Sequence, residues 1–382
     1  MKITHLELLT VPQGTSAMLL LVVHTDSGEY GVGEVGMRAR WRTVRGAVED
    51  LAEQLNGADA SRIEHLWQVL FRSGFFPATG VLASVLAAID VALWDLRGKA
   101  LGVPLYQLLG GASRDHVECY VHIVVSDVTR DPAAVVREAE RLVAAGWRYL
   151  RVPANSPTTD GEYDQRTALR NTVATMERLR AALGDEAELL LDVHTRLEPA
   201  QAVTLCRELE PLRPYFVEDP LRSEHLDGYR MLRQRTAVPL AAGEQLGTKW
   251  EFRSLLEGEL IDHARVDVAN TGLTEARKIA AMAEAHHINL ATHNPLGPVT
   301  AAASAHLNLV LPNVSVQEQP GTDLAVSSVV TAGPILTPGR IRPAERPGLG
   351  IELDLAAARD LPRRGPAPLP VYHRPDGSFT NW

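Results

Sequence analysis

Six ionisable residues recur through this 382-residue chain at the interval of one strand–helix unit, and that spacing restricts the fold more than any other feature. Asp192, Glu218, Glu244, Asp267, His293 and Glu318 are separated by 26, 26, 23, 26 and 25 residues. Each stands at or near the end of a short apolar run: ELLLDVH, PYFVED, PLAAGE, HARVDV, INLATH and VSVQE. Two earlier runs, VECYVHIVV and WRYLRV, bring the number of expected strands to eight. Amphipathic patterns at Pro199–Leu209, Leu226–Arg235, Trp250–Leu256, Leu273–His286 and Pro298–Leu309 separate the later runs. Strands alternating with helices in this way read as a parallel barrel, a modified TIM-type (β/α)8 barrel of the form (β/α)7β, over residues 116–325. The carboxyl ends of barrel strands meet at one mouth, so six residues in phase with the repeat surround one point. A single acid after a strand is often only a helix or loop cap, and Asp219 is read that way.

Residues 1–115 are expected to form a separate α+β capping domain. Met1–Pro12, Ser16–Thr25 and Tyr30–Gly33 read as strands, followed by helices over Thr43–Leu55, Ile63–Arg72 and Val81–Leu101. The last helix is apolar nearly all round, which places it at a buried domain junction. Residues 326–382, rich in Pro and Gly, are expected to return to the capping domain. Ile351 and Leu353 alternate there, and Trp382 is costly to leave exposed.

Composition narrows the setting. Hydrophobic residues make up 45% and charged residues 22%, as in ordinary globular chains, and the formal net charge is −9 with no long basic run. That argues against nucleic acid or anionic membranes as partners, and an anionic substrate would need positive charge gathered locally, from a metal ion or arginines. Two cysteines, Cys119 and Cys206, make no disulfide framework, and Cys206 falls in a helical pattern as a small core residue. The apolar run Ala17–Val23 is too short to span a bilayer and lacks a basic start, so a cytoplasmic location is expected.

The chemistry follows from the residue types. Asp192, Glu218 and Glu244 bring three carboxylates together without cysteine; such anions repel unless protonated or bound to a cation. Oxygen-only ligands suit Mg²⁺, or Mn²⁺, rather than Zn²⁺. His194, two residues beyond Asp192, and His293 are candidates for proton transfer near neutral pH. Asp267, one strand before His293, is placed to orient its ring and raise its basicity. His65, His225 and His286 fall outside the repeat and read as surface or packing residues.

At these residues the chain resembles the enolase superfamily, in its mandelate racemase branch and the acid-sugar dehydratases within it. AAIDVALWDLRGKALGVPLYQLLGG resembles the end of that branch's capping domain; LDVHTR, FVEDP, AAGE, ATHNPLGP and VQEQ resemble its strand ends. The resemblance implies that Asp192, Glu218 and Glu244 bind Mg²⁺, that Asp267 and His293 form the base, and that His194 protonates the departing hydroxyl. Glu318 would lie near the substrate carboxylate. A homo-oligomer acting on a small sugar acid is the corresponding expectation.

DVH, Asp267 and HNPLGP resemble D-galactonate dehydratases, whereas WRYLRV and the ending DGSFTNW resemble the D-mannonate dehydratase group. In the second group an arginine on the second strand acts with a tyrosine twelve residues later, the spacing of Arg151 and Tyr163 here. The Tyr163-to-Asp192 stretch is shorter than in that group, and an acid at Asp267 is not its pattern. Arg151 also stands where racemases and cycloisomerases of the superfamily usually carry lysine; arginine is a poor base and a good anion binder. Dehydration is therefore favoured over racemisation or epimerisation of a hydroxy acid on the same fold. A metal-binding homologue with little catalysis is the rival of another class. His122, Arg38, Arg40 and Trp41 are candidates for reading the distal hydroxyls of the substrate.

Overall fold

The seven-residue apolar run Ala17–Val23 forms part of a strand that faces two cores at once. The computed structural model describes residues 1–13, 16–125, 131–154, 161–324, 329–362, 365–366 and 371–380. Strands β1 (Ile3–Gln13), β2 (Ser16–Thr25) and β3 (Tyr30–Glu34) form an antiparallel sheet with β2 in the middle. Successive side chains of a strand point to opposite faces. On β2, Leu19, Leu21 and Val23 enter the core of the capping unit, whereas Met18, Leu20 and Val22 enter the main core shared with the barrel. Helices α1 (Trp41–Leu55), α2 (Ile63–Arg72) and α3 (Val81–Leu101) complete the first unit.

Helix α3 is buried on most of its surface, as its all-round apolar pattern requires. It lies against β3 so closely that a Cβ at Gly31 would sit 2.0 Å from the Ala92 carbonyl oxygen, and one at Gly33 equally close to that of Ala88. Only glycine admits this approach. A one-turn helix, α4 (Leu105–Leu108), leads into the barrel.

The barrel strands are β4 (Val117–His122), β5 (Tyr149–Pro153), β6 (Glu188–Asp192), β7 (Phe216–Glu218), β8 (Leu240–Ala242), β9 (His263–Ala264), β10 (Asn289–Thr292) and β11 (Val314–Gln319). They are parallel and in sequential order, and β11 pairs with β4 to close the ring. Among the described residues, the α-helices that link them are α5 (Pro132–Ala144), α6 (Gln165–Leu183), α7 (Pro199–Leu209), α8 (Asp227–Arg233), α9 (Lys249–Glu257), α10 (Val268–Ala285) and α11 (Pro298–Val310). The expected (β/α)7β barrel with a capping unit is what the chain forms. Tyr120, Leu190, Phe216, Ala241, Ala291 and Val316 fill the inside of the barrel. No described helix is long and apolar enough to cross a membrane. Cys119 and Cys206 are buried free thiols.

The C-terminal segment divides between the two units. Strands β12 (Val330–Ala332), β13 (Ile335–Thr337), β14 (Arg340–Arg342) and β15 (Glu352–Leu353) form two small pairings, β12 with β15 and β13 with β14. Strand β14 also adds antiparallel to barrel strand β4. Beyond it the chain reaches the capping unit: the Leu349 N–H donates to Asp95 of α3 at 2.8 Å, and Arg359 of α12 (Leu355–Asp360) clasps Glu7 of β1. Trp382 lies outside the described residues.

Candidate active site

The strand ends carry the expected groups to one mouth, with one change in how they get there. Strand β6 stops at Asp192, and His194 and Thr195 take left-handed backbone angles, φ +53 and +57. Strand alternation therefore does not place His194. A tight turn does, anchored by the His194 N–H donating to Asp192 Oδ1 at 2.9 Å. The turn brings His194 Nε2 to 2.8 Å from Asp192 Oδ2, an oxygen that also accepts from Arg151 of β5. These two cations outweigh the effect of burial and hold the Asp192 carboxyl well below its usual range. In return, Asp192 raises the His194 pKa against the pull of burial.

The described carboxylates that approach one another within 4.8 Å are Glu218, Asp219 and Glu244. Asp192 is not in that group, and Asp219, read from the sequence as a cap, is. Glu218 is fully buried, with Oε1 held by Arg265, while its Oε2 has no hydrogen-bond partner among the described residues. Glu244 Oε2 is buried likewise and lies 3.3 Å from His293 Nε2, outside hydrogen-bond geometry. Burial, and then the neighbouring carboxylates, push Glu218 up to about 8 despite Arg265. Burial raises Glu244 and Asp219 as well. Carboxylates gathered at one point, two of them with a buried oxygen that has no hydrogen-bond partner among the described residues, fit a hard divalent cation such as Mg²⁺.

Asp267 is the N-cap of α10, accepting from the Ala269 N–H at 2.8 Å with Oδ1, and its Oδ2 lies 2.9 Å from His293 Nδ1. A backbone bridge between Asp267 and His293 keeps the two in register. With Nδ1 engaged, His293 presents Nε2 to Glu244 and, at 3.8 Å, to Glu318. Burial pulls the His293 pKa down, but Glu244, Glu318 and Asp267 outweigh it and raise it to about 10.

Glu318 is engaged at both oxygens. His122 Nε2 lies 2.7 Å from Oε1, and Oε2 accepts from Arg265 at 2.7 Å and from the Asn294 N–H at 3.0 Å. His122 thus lies at the mouth through Glu318. Arg38 reaches the loop after His293, donating to the Pro295 carbonyl at 3.4 Å.

Other expected groupings are not seen among the described residues. Arg40 is exposed, and Trp41 packs on Gly365, where a Cβ would lie 2.2 Å from its ring. Tyr163 is buried beneath the Arg196 guanidinium, 6.0 Å from its ring centre, and no contact with Arg151 is seen among the described residues. Arg265 and Asp219 were missed as site residues. The signal for Arg265 was a lone arginine inside the apolar run HARVDV, two residues before Asp267.

Residues 4–110 match the mandelate racemase/muconate lactonizing enzyme N-terminal domain, and residues 134–358 match the enolase C-terminal domain-like family. A D-galactonate dehydratase of Ralstonia nicotianae is 39% identical over the whole of both chains, and one of Pectobacterium atrosepticum is 36% identical with the same coverage. An enolase of Pantoea ananatis, solved with bound D-gluconate and magnesium, superposes with a TM-score of 0.92 at 29% identity, covering 100% of this chain and 99% of the other. With both domains matched, the chain belongs to the enolase superfamily, in its mandelate racemase/muconate lactonizing enzyme branch.

Proposed function

We propose that the protein is a Mg²⁺-dependent hydro-lyase that converts a hexonate-type sugar acid to its 2-keto-3-deoxy acid. The observation that carries this reading is the placing of the two histidines. In the ring of eight strands, β6 and β10 are four apart, so His194 and His293 approach from opposite sides of the mouth, with the carboxylates of β7 and β8 between. The naming of relatives as D-galactonate dehydratases supports the reaction class, and D-gluconate in a structural neighbour supports the kind of ligand.

Glu218 and Glu244 would hold the ion, with Asp192 as the third ligand by family motif and Asp219 beside them. When bound, Mg²⁺ supplies positive charge where the substrate carboxylate becomes an enediolate. His293 Nε2 removes the proton from C2, and that bonding pair moves into the carboxylate. The enediolate electrons expel the C3 hydroxyl, to which His194 gives a proton, so it leaves as water. The enol product then tautomerises to the keto acid, C3 gaining the proton. Arg151 stays protonated and binds an anionic or hydroxyl oxygen of the substrate.

A racemase or epimerase on the same residues would need His194 to act as a base. Asp192 beside it favours the protonated form, which suits an acid. The test is to incubate the protein and Mg²⁺ with D-galactonate, D-gluconate and D-mannonate in D₂O, following the C2 proton and keto-acid formation by NMR. His293→Asn is expected to stop both. His194→Asn is expected to lose dehydration by about 10²–10⁴-fold while keeping some C2 exchange. Wild-type exchange or inversion at C2 with no keto acid from any sugar acid would contradict the dehydratase reading.

A further inference from the structure

Below the floor of the mouth, one guanidinium joins the ion-binding side of the site to the substrate side. Arg265 follows β9 and is 1% exposed, inside the barrel. Its Nε donates to Glu218 Oε1 on β7 and its Nη1 to the Ala291 carbonyl on β10 at 2.7 Å. Its Nη2 donates to the Tyr120 hydroxyl on β4 at 2.5 Å and to Glu318 Oε2 on β11 at 2.7 Å. Four of the five N–H groups of the fork are thus engaged from four different strands. The Tyr120 and Phe216 rings flank the guanidinium at 5.4 and 6.0 Å and keep water away.

The geometry has a consequence for Glu218. A carboxylate can bind a cation through one oxygen or both. Arg265 occupies Oε1 and leaves Oε2, buried and without a hydrogen-bond partner among the described residues, as the oxygen not already engaged, in a residue that closes with Glu244 and Asp219. The other arm of the same planar group fixes Glu318, whose remaining oxygen meets His122. A shift of either glutamate is therefore felt by the other through a rigid fork.

We infer that Arg265 is a positioning residue that makes Glu218 a one-oxygen ligand of the divalent ion and couples ion binding to the Glu318–His122 side of the pocket. This rests on the ion-binding reading proposed above. Groups that orient a metal ligand from behind typically carry about 10–100-fold in metal affinity. Lysine would keep the charge, but as a single donor head it cannot hold both carboxylates in one plane.

The test uses the full chain with Mn²⁺ as probe, followed by calorimetry and electron paramagnetic resonance, alongside circular dichroism and thermal melting. Arg265→Met is expected to weaken Mn²⁺ binding by about 10–100-fold. Arg265→Lys, which keeps one positive charge inside the barrel, is expected to stay folded, to weaken Mn²⁺ by several-fold and to change the Mn²⁺ spectrum. Glu318→Gln should alter Mn²⁺ affinity in the wild-type background but not in Arg265→Lys. If Arg265→Lys binds Mn²⁺ with the wild-type affinity and spectrum, the inference is overturned, whether or not the methionine variant folds. A wild-type protein that binds no divalent ion would overturn the ion-binding reading itself, and Arg265 with it. A wild-type protein that binds Mn²⁺ but dehydrates no sugar acid would count against the proposed reaction alone.

Discussion

Two groups of buried carboxylates lie a short way apart in this protein, and their oxygens are treated in opposite ways. At the junction between capping unit and barrel, each acid is matched to donors. Glu34 accepts from the Gly297 and Thr300 N–H groups at 2.8 and 3.2 Å and from the Thr300 hydroxyl at 3.1 Å. Asp90 accepts from the Thr274 N–H and hydroxyl at 2.9 and 2.5 Å. Asp95 takes the Val32 and Leu349 N–H groups and the Lys99 ammonium, all within 3.0 Å. At the mouth, Glu218 and Glu244 each keep a buried oxygen without a hydrogen-bond partner among the described residues, and they crowd a third acid. Burying a polar group without a partner costs about 1–3 kcal/mol, and more for a charge. A fold that satisfies three acids at the junction and leaves Glu218 and Glu244 each one oxygen short concentrates that cost where a cation would remove it. The lesson is that burial alone does not separate the two groups; what sets Glu218 and Glu244 apart is a buried oxygen without a hydrogen-bond partner among the described residues.

The sharpest way to break this contrast is Glu218→Gln. Loss of an ion that stabilises transition-state charge by several kcal/mol should lower turnover by on the order of 10³-fold or more. The melting temperature measured in chelator should hold or rise, because repulsion among the mouth acids is relieved. A large destabilisation in chelator would place Glu218 with the structural acids instead.

Next in size is the pH response at the junction. Burial outweighs the Thr274 hydrogen bonds and raises the Asp90 carboxyl to about 7, against an ordinary 3.8. The native state therefore keeps this proton to higher pH than the unfolded chain. Stability from this group is full below about pH 4, falls as pH rises to about 7 and levels off above, by a few kcal/mol at most. Denaturant titrations across that range should show the slope, and Asp90→Asn should lack it. An unchanged slope in the variant would remove Asp90 from the account.

The smallest effect is expected of Asp95→Asn, which keeps an acceptor oxygen but loses the charge facing Lys99. It should cost about 1–2 kcal/mol of stability and leave divalent-ion affinity as it was. A fall in ion affinity without a matching loss of stability would erase the distinction between the two regions.

Much of this was legible because barrel physics writes itself into spacing. Each strand–helix unit has nearly fixed length, so the functional strand ends recur in phase, and the Asp267–His293 contact follows from neighbouring strands. What was not legible arises where backbone departs from the repeat or where the partner is distant in sequence. Asp219 joins the acids of the mouth from a backbone position with φ +39, which a strand pattern does not encode. Arg265 makes its contacts with residues 47, 53 and 145 positions away, so nothing local announces that its charge points inward. Arg151 is the reverse case. A twelve-residue spacing suggested Tyr163 as its partner, but its observed partners are Asp192 and His194, on the adjoining strand and the turn after it.

Calorimetric titration of chelator-treated protein with Mg²⁺, for wild type, Glu218→Gln and Asp95→Asn side by side, tests the central claim most directly. One ion per chain is expected for wild type and Asp95→Asn with equal affinity, and no measurable site in Glu218→Gln. Equal Mg²⁺ binding by wild type and Glu218→Gln, or none by wild type, would contradict it.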